Sequence, residues 1–307
     1  MSTPFTQRVF GCAIIKSINS NYNADFSHQP RTLPDGTVYA TDKALKYTVR
    51  HYFKTFFPEE KLFYFRSLSK DMQPRTLDET YEHLFDAIPK QAKKEELRKI
   101  VAKNLLNCLD VRLFGGTFAG ATNLSLHGPL QITHGVNRYV EGIIYSEQIM
   151  SPFRNPGEKQ ADSTMTTLGT QSKLKEGHYV HHFSVNPHNL NDLATLSGGQ
   201  NVLNSDIEKL KEALSKGATL YDSAAKAGTE NELLLWVQLK PGSSLVLPSF
   251  VEKISVAEDR VIDLSEVSAI LGRPGVADQI EKIEIFCDPL VELKGVPTLA
   301  ERFEIHQ

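Results

Sequence analysis

The sequence contains few cysteines and no long apolar segment. Its three cysteines, Cys12, Cys108 and Cys287, lie far apart and form no CxxC pair. This spacing argues against a disulfide framework or a zinc knuckle, and it suits the reducing cytoplasm. No apolar run approaches the roughly 20 residues that a transmembrane helix needs. We therefore expect a cytoplasmic protein that has no membrane partner.

Motifs of the common catalytic classes are also missing. The chain contains no GxSxG nucleophile elbow, no cysteine in a recognisable catalytic context and no Walker A sequence. Gly115 and Gly116 do not complete a GxGxxG pattern with Gly120, and such glycines instead allow close approach of the backbone to a strand or a ligand. No pair of carboxylates stands out for acid–base work. We expect no catalytic residue, no metal and no cofactor.

Charge is unevenly distributed along the chain, whose 307 residues carry a net charge of −3. Residues 1–57 hold seven Lys and Arg against three Asp and Glu, whereas residues 201–307 hold eleven against eighteen. The acidic part of one copy can therefore meet the basic part of the next copy in a head-to-tail oligomer. Alternatively, the C-terminal acids are simply solvated.

Hydrophobic periodicity predicts a strand and a helix in the N-terminal part. An apolar strand spans Val9–Ile15, and a loop rich in turn-forming residues follows it over 19–36. A helix over 42–57 begins after Thr41, a plausible N-cap, and Pro58 ends it. Its apolar residues recur at helical spacing, so one face is predicted to be buried.

The next segment, over 59–110, is predicted to be mainly helical. The sequence Thr76-Leu-Asp-Glu79 is a capping box that opens one helix. A second helix is predicted over Lys93–Leu109, where leucine, isoleucine and valine recur on one side.

Strand and helix patterns alternate again in the second half of the chain. Strands are predicted over 123–133, 178–185 and 232–239. The capping-box sequence Ser205-Asp-Ile-Glu208 opens a helix that Gly217 closes. Without two long insertions the order is βαββαβ, which is typical of ferredoxin-like folds and of the RRM. The open sheet of an RRM commonly receives single-stranded RNA. The predicted class is therefore α+β.

One of the insertions has an unusual composition. The 32 residues from Ser146 to Gly177 are mostly Ser, Thr, Gln, Asn, Gly, Pro and Lys, with few apolar residues. Connections of this length are usually functional or disordered. The segment is therefore either disordered or a protruding arm that becomes ordered on a partner.

A row of cations occupies the second face of the helix over 42–57. Lys43, Lys46, Arg50 and Lys54 follow the spacing i, i+3, i+7, i+11, and the only acid of the helix is Asp42 at its N-terminal end. We call these four cations the basic row. Cations at this pitch can contact successive phosphates of one strand. The alternative interpretation is a solvated helix face.

Three histidines lie within five residues, at 178, 181 and 182. On a strand His178 and His182 share one face, while His181 points to the other face, so the three do not easily close on one metal ion. Packed or RNA-facing imidazoles are the better interpretation.

Six segments stand in a fixed order along the chain. They are 19–25 (NSNYNAD), 30–31 (PR), 41–50 (TDKALKYTVR), 110–116 (DVRLFGG), 126–132 (LHGPLQI) and 169–179 (GTQSKLKEGHY). Together they resemble the backbone subunit of type I CRISPR Cascade complexes, the Cas7 superfamily. The resemblance extends over roughly residues 8 to 240; the I-B and I-C branches look closest, and an I-B-like branch is expected.

This resemblance implies an RRM/ferredoxin-like palm, a helical fingers insertion and a β-hairpin thumb. The expected boundaries are 1–57, 123–136 and 178–240 for the palm, 58–122 for the fingers, 137–177 for the thumb and 241–307 for a C-terminal extension packed on the palm. Copies of the subunit are expected to stack along one CRISPR guide RNA (crRNA), together with other Cascade subunits. The guide then pairs with target DNA, as in other RNA-guided effectors of antiviral defence.

The resemblance and the residue types together predict the RNA-binding residues. Arg31, Lys46 and Arg50 match family positions that hold the RNA backbone. Phe153 and Met165 are candidates, by residue type, for an apolar wedge beneath a displaced base. The full predicted set is Lys16, Asn19, Asn21, Arg31, Lys43, Lys46, Arg50, Lys54, Gly115, Gly116, Phe153, Met165, Gly169, Gln171, Lys173 and Lys175.

Two other functions stay open at this point. Asp25 lies in the loop after the first strand, where an acid can place a metal ion or an attacking water molecule. An RNA-cleaving relative of the type III kind would use this residue as its catalytic group. The second alternative is a stand-alone, monomeric RRM-like regulator that binds short RNA.

Overall fold

The strand predicted near the N-terminus lies in the middle of the main sheet. The computed structural model describes residues 3–87, 93–139, 141–150 and 167–305. Within these ranges, nine strands form one sheet in the order β14-β12-β9-β1-β8-β6-β2, and β5 and β7 also pair with β8. The strands are β1 Val9–Ser20, β2 Tyr39–Ala40, β3 Gly115–Ala119, β4 Asn123–His127, β5 Leu130–Ile132, β6 Gly135–Asn137, β7 Ile144–Met150, β8 Thr167–Val185, β9 Thr229–Leu239, β10 Ser255–Val256, β11 Ile262–Asp263, β12 Ile280–Cys287, β13 Leu293–Lys294 and β14 Ala300–Glu304.

The helices confirm a mixed α+β protein. None of those in the described ranges is long and apolar enough to cross a membrane. The helices are α1 Asp42–Phe56, α2 Leu77–Leu84, α3 Lys94–Leu105, α4 Leu109–Phe114, α5 Asn191–Ser197, α6 Asn204–Leu220, α7 Ser265–Leu271 and α8 Pro274–Ala277.

Both faces of the central strands are covered. On one face, α1 and α6 bury an apolar cluster against alternate β1 residues such as Ala13 and Ile15. On the other face, residues from the C-terminal part, including Phe250 and Ile262, pack against Cys12 and Ile14. This double burial explains why β1 reads as a continuous apolar run. The expectation of an open, RRM-type sheet face is therefore wrong for these strands, because the C-terminal part covers the face that an RRM leaves free.

Helix α6 differs from its prediction at both ends. It begins at Asn204, and the Asp206 carboxylate accepts the N–H of Leu203 at 3.0 Å, so the Ser205–Glu208 sequence is not the cap. The helix also continues past Gly217. A Cβ on Gly217 would lie 3.0 Å from the carbonyl oxygen of Thr48 on α1. This glycine therefore permits close packing of two helices instead of ending one.

A third apolar cluster lies among α2, α3, α4 and the β3–β4 hairpin. Its largest buried rings are Phe63, Tyr81 and Phe118. The capping box of α2 is confirmed, with Thr76 and Glu79 bonded reciprocally. The single helix predicted over 93–109 is wrong, because a turn after Leu105 divides it into α3 and α4.

The polar insertion is bounded by a β-hairpin. Residues of β7 pair with the first part of β8, from Ile144 opposite Leu174 to Met150 opposite Thr167. The same strand β8 then continues into the main sheet and pairs with β1 as far as Val185. The strand predicted over 178–185 is therefore the second half of a strand of 19 residues.

A buried ion pair joins α4 to α6. The Arg112 guanidinium donates to both carboxylate oxygens of Asp206, at 3.0 and 2.9 Å, and both side chains are almost fully buried. Arg112 also donates to the carbonyl of Leu106. Glu60 lies farther from the guanidinium, at 3.6 Å, so Asp206 is its main partner and loss of Asp206 leaves a buried charge poorly compensated.

We expect Asp206→Ala to lower the free energy of unfolding by about 3 to 5 kcal/mol, because it uncaps α6 and removes the bidentate partner of buried Arg112, leaving only Glu60 at 3.6 Å. Urea unfolding followed by circular dichroism measures the change. Glu208→Ala, on the exposed side of the same helix, is the matched control and should change stability by less than about 0.5 kcal/mol. Equal stabilities of the two variants would contradict a structural role for the ion pair.

Candidate nucleic-acid interface

The basic row is present on α1, but its members are not equivalent. The Lys43 side chain is 80% exposed, whereas those of Lys46 and Arg50 are 15% and 13% exposed. The Nζ atom of Lys46 lies 3.0 Å from the Asp42 carboxylate, one turn earlier. Lys54, at the other end of the helix, is exposed. Asp42 also pairs with Lys43 at 2.8 Å, so three of the four cations have a carboxylate partner, and the role of the basic row in RNA binding stays a prediction.

Arg50 is bound by a carboxylate from a distant part of the chain. Its Nε donates to Asp110 Oδ2 at 2.9 Å, and the guanidinium lies 4.8 Å from the centroid of the Phe114 ring. Asp110 is fully buried and also accepts the backbone N–H groups of Phe63 and Tyr64, at 2.8 and 2.9 Å. Arg50 thus connects α1 to the helical insertion. Replacement of Arg50 would therefore remove this connection and lower stability, so a change in RNA binding by such a variant would not report on RNA contact alone.

A cleft with a volume of about 390 Å³ opens beside the N-terminal turn of α1. We call it the cationic cleft. Three cations, Arg31, Lys43 and Lys226, line it, and no carboxylate residue is among its lining residues. The other lining residues are Asn23, Thr41, Ala44, Tyr47 and Tyr221.

Two of these cations lack a carboxylate partner in the described parts of the chain. The Nε of Arg31 is buried without a hydrogen-bond partner. Lys226 donates to the carbonyl of Tyr22 and lies 5.5 Å from the centroid of the Tyr22 ring. Burial lowers the pKa of Lys226 to about 8. An anion in the cleft would therefore relieve the cost of desolvating these groups. Sequence reasoning missed Lys226, because nothing in its local sequence distinguishes it from a surface lysine.

Gly115 and Gly116 approach protein, not a ligand. Gly115 has φ +68°, and a Cβ there would lie 2.1 Å from the carbonyl oxygen of Leu126 in the paired strand. A Cβ on Gly116 would lie 2.2 Å from the ring of Tyr64. Of the two alternatives left open by the sequence, close approach to neighbouring protein is the one found.

The remaining residues predicted near β1 are dispersed. Lys16 lies 3.0 Å from Glu230, in a separate cavity that Asp259 and Glu292 also line. The structure therefore does not bring Lys16 to the cationic cleft. Asn19 accepts the hydroxyl of Tyr145 on β7 at 3.0 Å.

Asn21 is buried, and both of its amide N–H bonds are used by the backbone. It donates to the carbonyls of His28 and Ser172, each at 3.2 Å. The side chain thus connects the loop after β1 to strand β8. The side chain of Asn21 is therefore not available to an RNA strand on the surface.

The hairpin residues lie at the base of the insertion. Lys173 pairs with Glu147 at 3.1 Å and Lys175 with Glu141 at 3.5 Å. Gln171 donates to the carbonyl of Ala224, two residues before Lys226. Gly169 has no atom within 4 Å of the position of a Cβ. Phe153 and Met165 lie outside the described residues.

The predicted division of the three histidines is confirmed. His178 and His182 share one face of β8, where His182 lies 5.1 Å from the Phe250 ring of the C-terminal part and His178 contacts Glu232 of the neighbouring strand β9 at 2.6 Å. His181 faces the opposite cluster. In the described ranges, no group of three or more His, Cys, Asp or Glu residues could hold a metal ion. The imidazoles are packed groups.

Asp25 organises its own loop. Its Oδ1 accepts the backbone N–H groups of Ser27 and Gln29 at 2.8 and 2.9 Å. This arrangement is an Asx-type turn. One carboxylate oxygen is therefore committed to the backbone.

Burial lowers the pKa values of His181 and His182 to about 4. Between pH 6.5 and 4 the unfolded chain binds more protons than the folded one, so stability is lost as the pH falls through this range. His181→Gln should make the pH dependence of the unfolding free energy shallower there. His188→Gln, at an exposed position, should leave it unchanged. Parallel pH profiles for wild type and His181→Gln in urea titrations would contradict this expectation.

Comparison with known proteins identifies the family. The family model of CRISPR-associated protein Cas7 matches residues 7–269. A chain of a "CRISPR RNA-guided surveillance complex, pre-nicking" superimposes with a TM-score of 0.57 at 13% identity, over 97% of this chain and 96% of that chain. A chain of a "CRISPR RNA-guided surveillance complex" superimposes with a TM-score of 0.52 at 14% identity, over 96% of this chain and 94% of that chain.

These superpositions show a shared fold, since the identities are too low to carry more. No curated protein matches the chain. The family model, however, covers most of the sequence, including β1, the loop after it, α1 and the cationic cleft. The chain therefore belongs to the Cas7 family of CRISPR-associated proteins.

Proposed function

We propose that the protein is a backbone subunit of a Cascade-type CRISPR surveillance complex and catalyses no reaction. It binds the guide RNA, oligomerises along it into a ribonucleoprotein filament with other Cascade subunits, and presents the guide for pairing with target DNA. Family membership supports this role, as does the fold shared with chains of RNA-guided surveillance complexes. The ordered sequence segments favour the I-B-like branch. Location in the cytoplasm stays a prediction from cysteine usage.

The cationic cleft is the observation that carries the proposal. Arg31 offers a planar fork of donors, while Lys43 and Lys226 act as point charges on the same cavity. Within the described residues Arg31 and Lys226 have no carboxylate partner, whereas Lys43 shares Asp42 with Lys46. Cations without a competing carboxylate suit phosphate groups, and each phosphate contact releases counterions. Because phosphate contacts carry no sequence information, such a cleft holds any guide equally well. An RNA-guided complex needs such sequence-independent binding, because its guides differ in sequence.

The palm, fingers and thumb are the architecture that we propose for this function. The strand order β9-β1-β8-β6 is the order of strands 4, 1, 3 and 2 in a ferredoxin-like unit, which supports a palm within 1–57, 123–136 and 178–240. Strand β4, over 123–127, pairs instead with β3 in a separate hairpin. The separate apolar cluster of α2, α3 and α4 supports fingers over 58–122. The β7–β8 hairpin supports a thumb within 137–177. The C-terminal part, 241–307, both covers the palm and adds β12 and β14 to its sheet.

Assembly into a filament is proposed from charge and geometry. Besides Lys16 and Arg260, the cavity around Lys16 is lined by five acids, namely Glu230, Glu232, Asp259, Asp288 and Glu292. The basic N-terminal part of a neighbouring copy is complementary to such a surface. A head-to-tail contact whose rotation does not close into a ring generates an open helical filament, and we propose this kind of contact because it can extend for as long as the RNA does.

Removal of two cleft cations should weaken RNA binding. We expect Lys43→Met with Lys226→Met to lower the affinity for single-stranded RNA and to make the salt dependence shallower by about 1.4 units, at about 0.7 per phosphate contact. Fluorescence anisotropy over a series of salt concentrations measures both quantities. Lys99→Met with Lys240→Met removes the same charge from exposed positions outside the cleft. If this control behaves like the cleft variant, the effect is one of net charge and the cleft is not the site.

The lowered pKa of Lys226 generates a pH dependence. The ammonium loses its proton as the pH rises from 7 to 9, because burial lowers the pKa to about 8. RNA affinity should therefore fall over this range in the wild type, and Lys226→Met should remove this part of the decrease. Anisotropy at constant ionic strength provides the measurement. Equal decreases in the two proteins would show that Lys226 does not contact RNA.

RNA cleavage through Asp25 is the competing function. The bonds from Ser27 and Gln29 to its carboxylate favour a structural role for this acid. Incubation of the assembled complex with complementary RNA and Mg²⁺ distinguishes the two functions. We expect intact RNA. Cleavage at regular intervals that Asp25→Ala abolishes would replace our proposal with the catalytic one.

A further inference from the structure

Phe26 occupies the tip of the turn after β1 and is fully exposed, at 100% of its accessible surface. The turn is well organised. Asp25 donates its backbone N–H to the carbonyl of Gln29 at 2.8 Å and accepts two N–H groups with its carboxylate, those of Ser27 and Gln29. The exposure of Phe26 is therefore built into a hydrogen-bonded turn.

The turn is also connected to the main sheet. The buried side chain of Asn21 donates to the carbonyl of His28 in the turn and to that of Ser172 on β8. His28 has φ +62°, a left-handed conformation that the surrounding bonds hold in place. Because these hydrogen bonds hold the turn against β8, the backbone that carries Phe26 is held in place.

The two legs of this turn lead directly into the cationic cleft. Ala24 pairs with Pro30, and the N–H of Arg31 donates to the carbonyl of Asn23 at 3.2 Å. Both Asn23 and Arg31 line the cleft. An exposed aromatic ring therefore stands a few residues beyond the cleft, in which Arg31 and Lys226 have no carboxylate partner within the described residues.

A single exposed apolar residue on a protein surface needs no explanation by itself. What distinguishes Phe26 is the combination of a rigid backbone, full exposure and an adjacent cationic cleft. Grooves that bind single-stranded nucleic acid combine cations for the backbone with aromatic rings on which bases stack. The exposed ring of Phe26 can stack on a base of any identity, since every base has a π-face.

We propose that Phe26 stacks on a base of the bound RNA, next to the nucleotide whose phosphate occupies the cationic cleft. This inference rests on the proposed RNA-binding function and deepens it, because it adds a stacking contact to a site otherwise built from charge. The contact is independent of base identity, so the guide can vary freely. It also requires a base that is not paired at this position.

Phe26→Trp provides a direct reporter of stacking. The chain contains one natural tryptophan, Trp236, and it is fully buried, so an added indole at position 26 dominates the solvent-exposed emission. We expect quenching on addition of a short single-stranded RNA. An RNA of the same length with abasic sites should bind through its phosphates without quenching. Leu290→Trp, at a position that is 90% exposed in the acidic cavity, is the matched control and should not be quenched.

Affinity provides the second measurement. Phe26→Ala should weaken binding of the short RNA by about 5- to 150-fold, the range that one stacked base supplies, and leave the salt slope unchanged. On the abasic RNA, wild type and Phe26→Ala should bind equally. Phe26→Tyr should restore binding, because it restores the flat ring.

The outcomes separate this inference from the proposed function. If wild type binds RNA with a cleft-dependent salt slope, yet Phe26→Trp is not quenched and Phe26→Ala binds normally, stacking is overturned and the RNA-binding function stands. A shift of the Phe26→Trp emission with protein concentration and no RNA would overturn stacking in favour of a contact with a second copy. Absence of any RNA binding by wild type would overturn both.

Discussion

The covering of both sheet faces is the constraint on which the rest of the structure depends. Helices α1 and α6 occupy one face of the central strands, and the C-terminal part occupies the other. Within the described ranges, the central strands therefore offer no open sheet face to a nucleic acid. Binding groups must then collect at loops, helix ends and sheet margins. The cationic cleft, built from the loop after β1, the first turn of α1 and the segment before β9, is a site of this marginal kind.

Local patterns in the sequence predicted most of the individual elements. The β1 run, the α1 periodicity, the α2 capping box and the division of the histidines between two faces are all set by residues close together in the chain. Each depends on short-range physics, which a single sequence carries. The family followed from the order of such segments and did not require any one of them to be decisive.

What the sequence could not show depends on partners far away in the chain. Arg50 looked available because its counter-charge, Asp110, lies 60 residues later. Gly217 looked like a helix end because the α1 backbone that it accommodates is equally remote in sequence. The sequence did not identify Lys226 as a binding residue, because only the fold places it in the same cleft as Arg31 and Lys43. In each case tertiary contacts decide whether a charged or small residue is structural or available.

The continuity of β8 has a mechanical consequence. A single strand runs from the β7 hairpin through the pairing with β1, without a break between Thr167 and Val185. A slip of one residue along this strand would move every buried side chain, including Tyr179 and Phe183, to the opposite face of the sheet. The hairpin is therefore the outer end of a continuous strand whose inner end is paired with β1 in the main sheet. A force applied to the hairpin by a neighbouring molecule would be felt at β1, and from there at the loop that carries Asn21 and the turn beyond it.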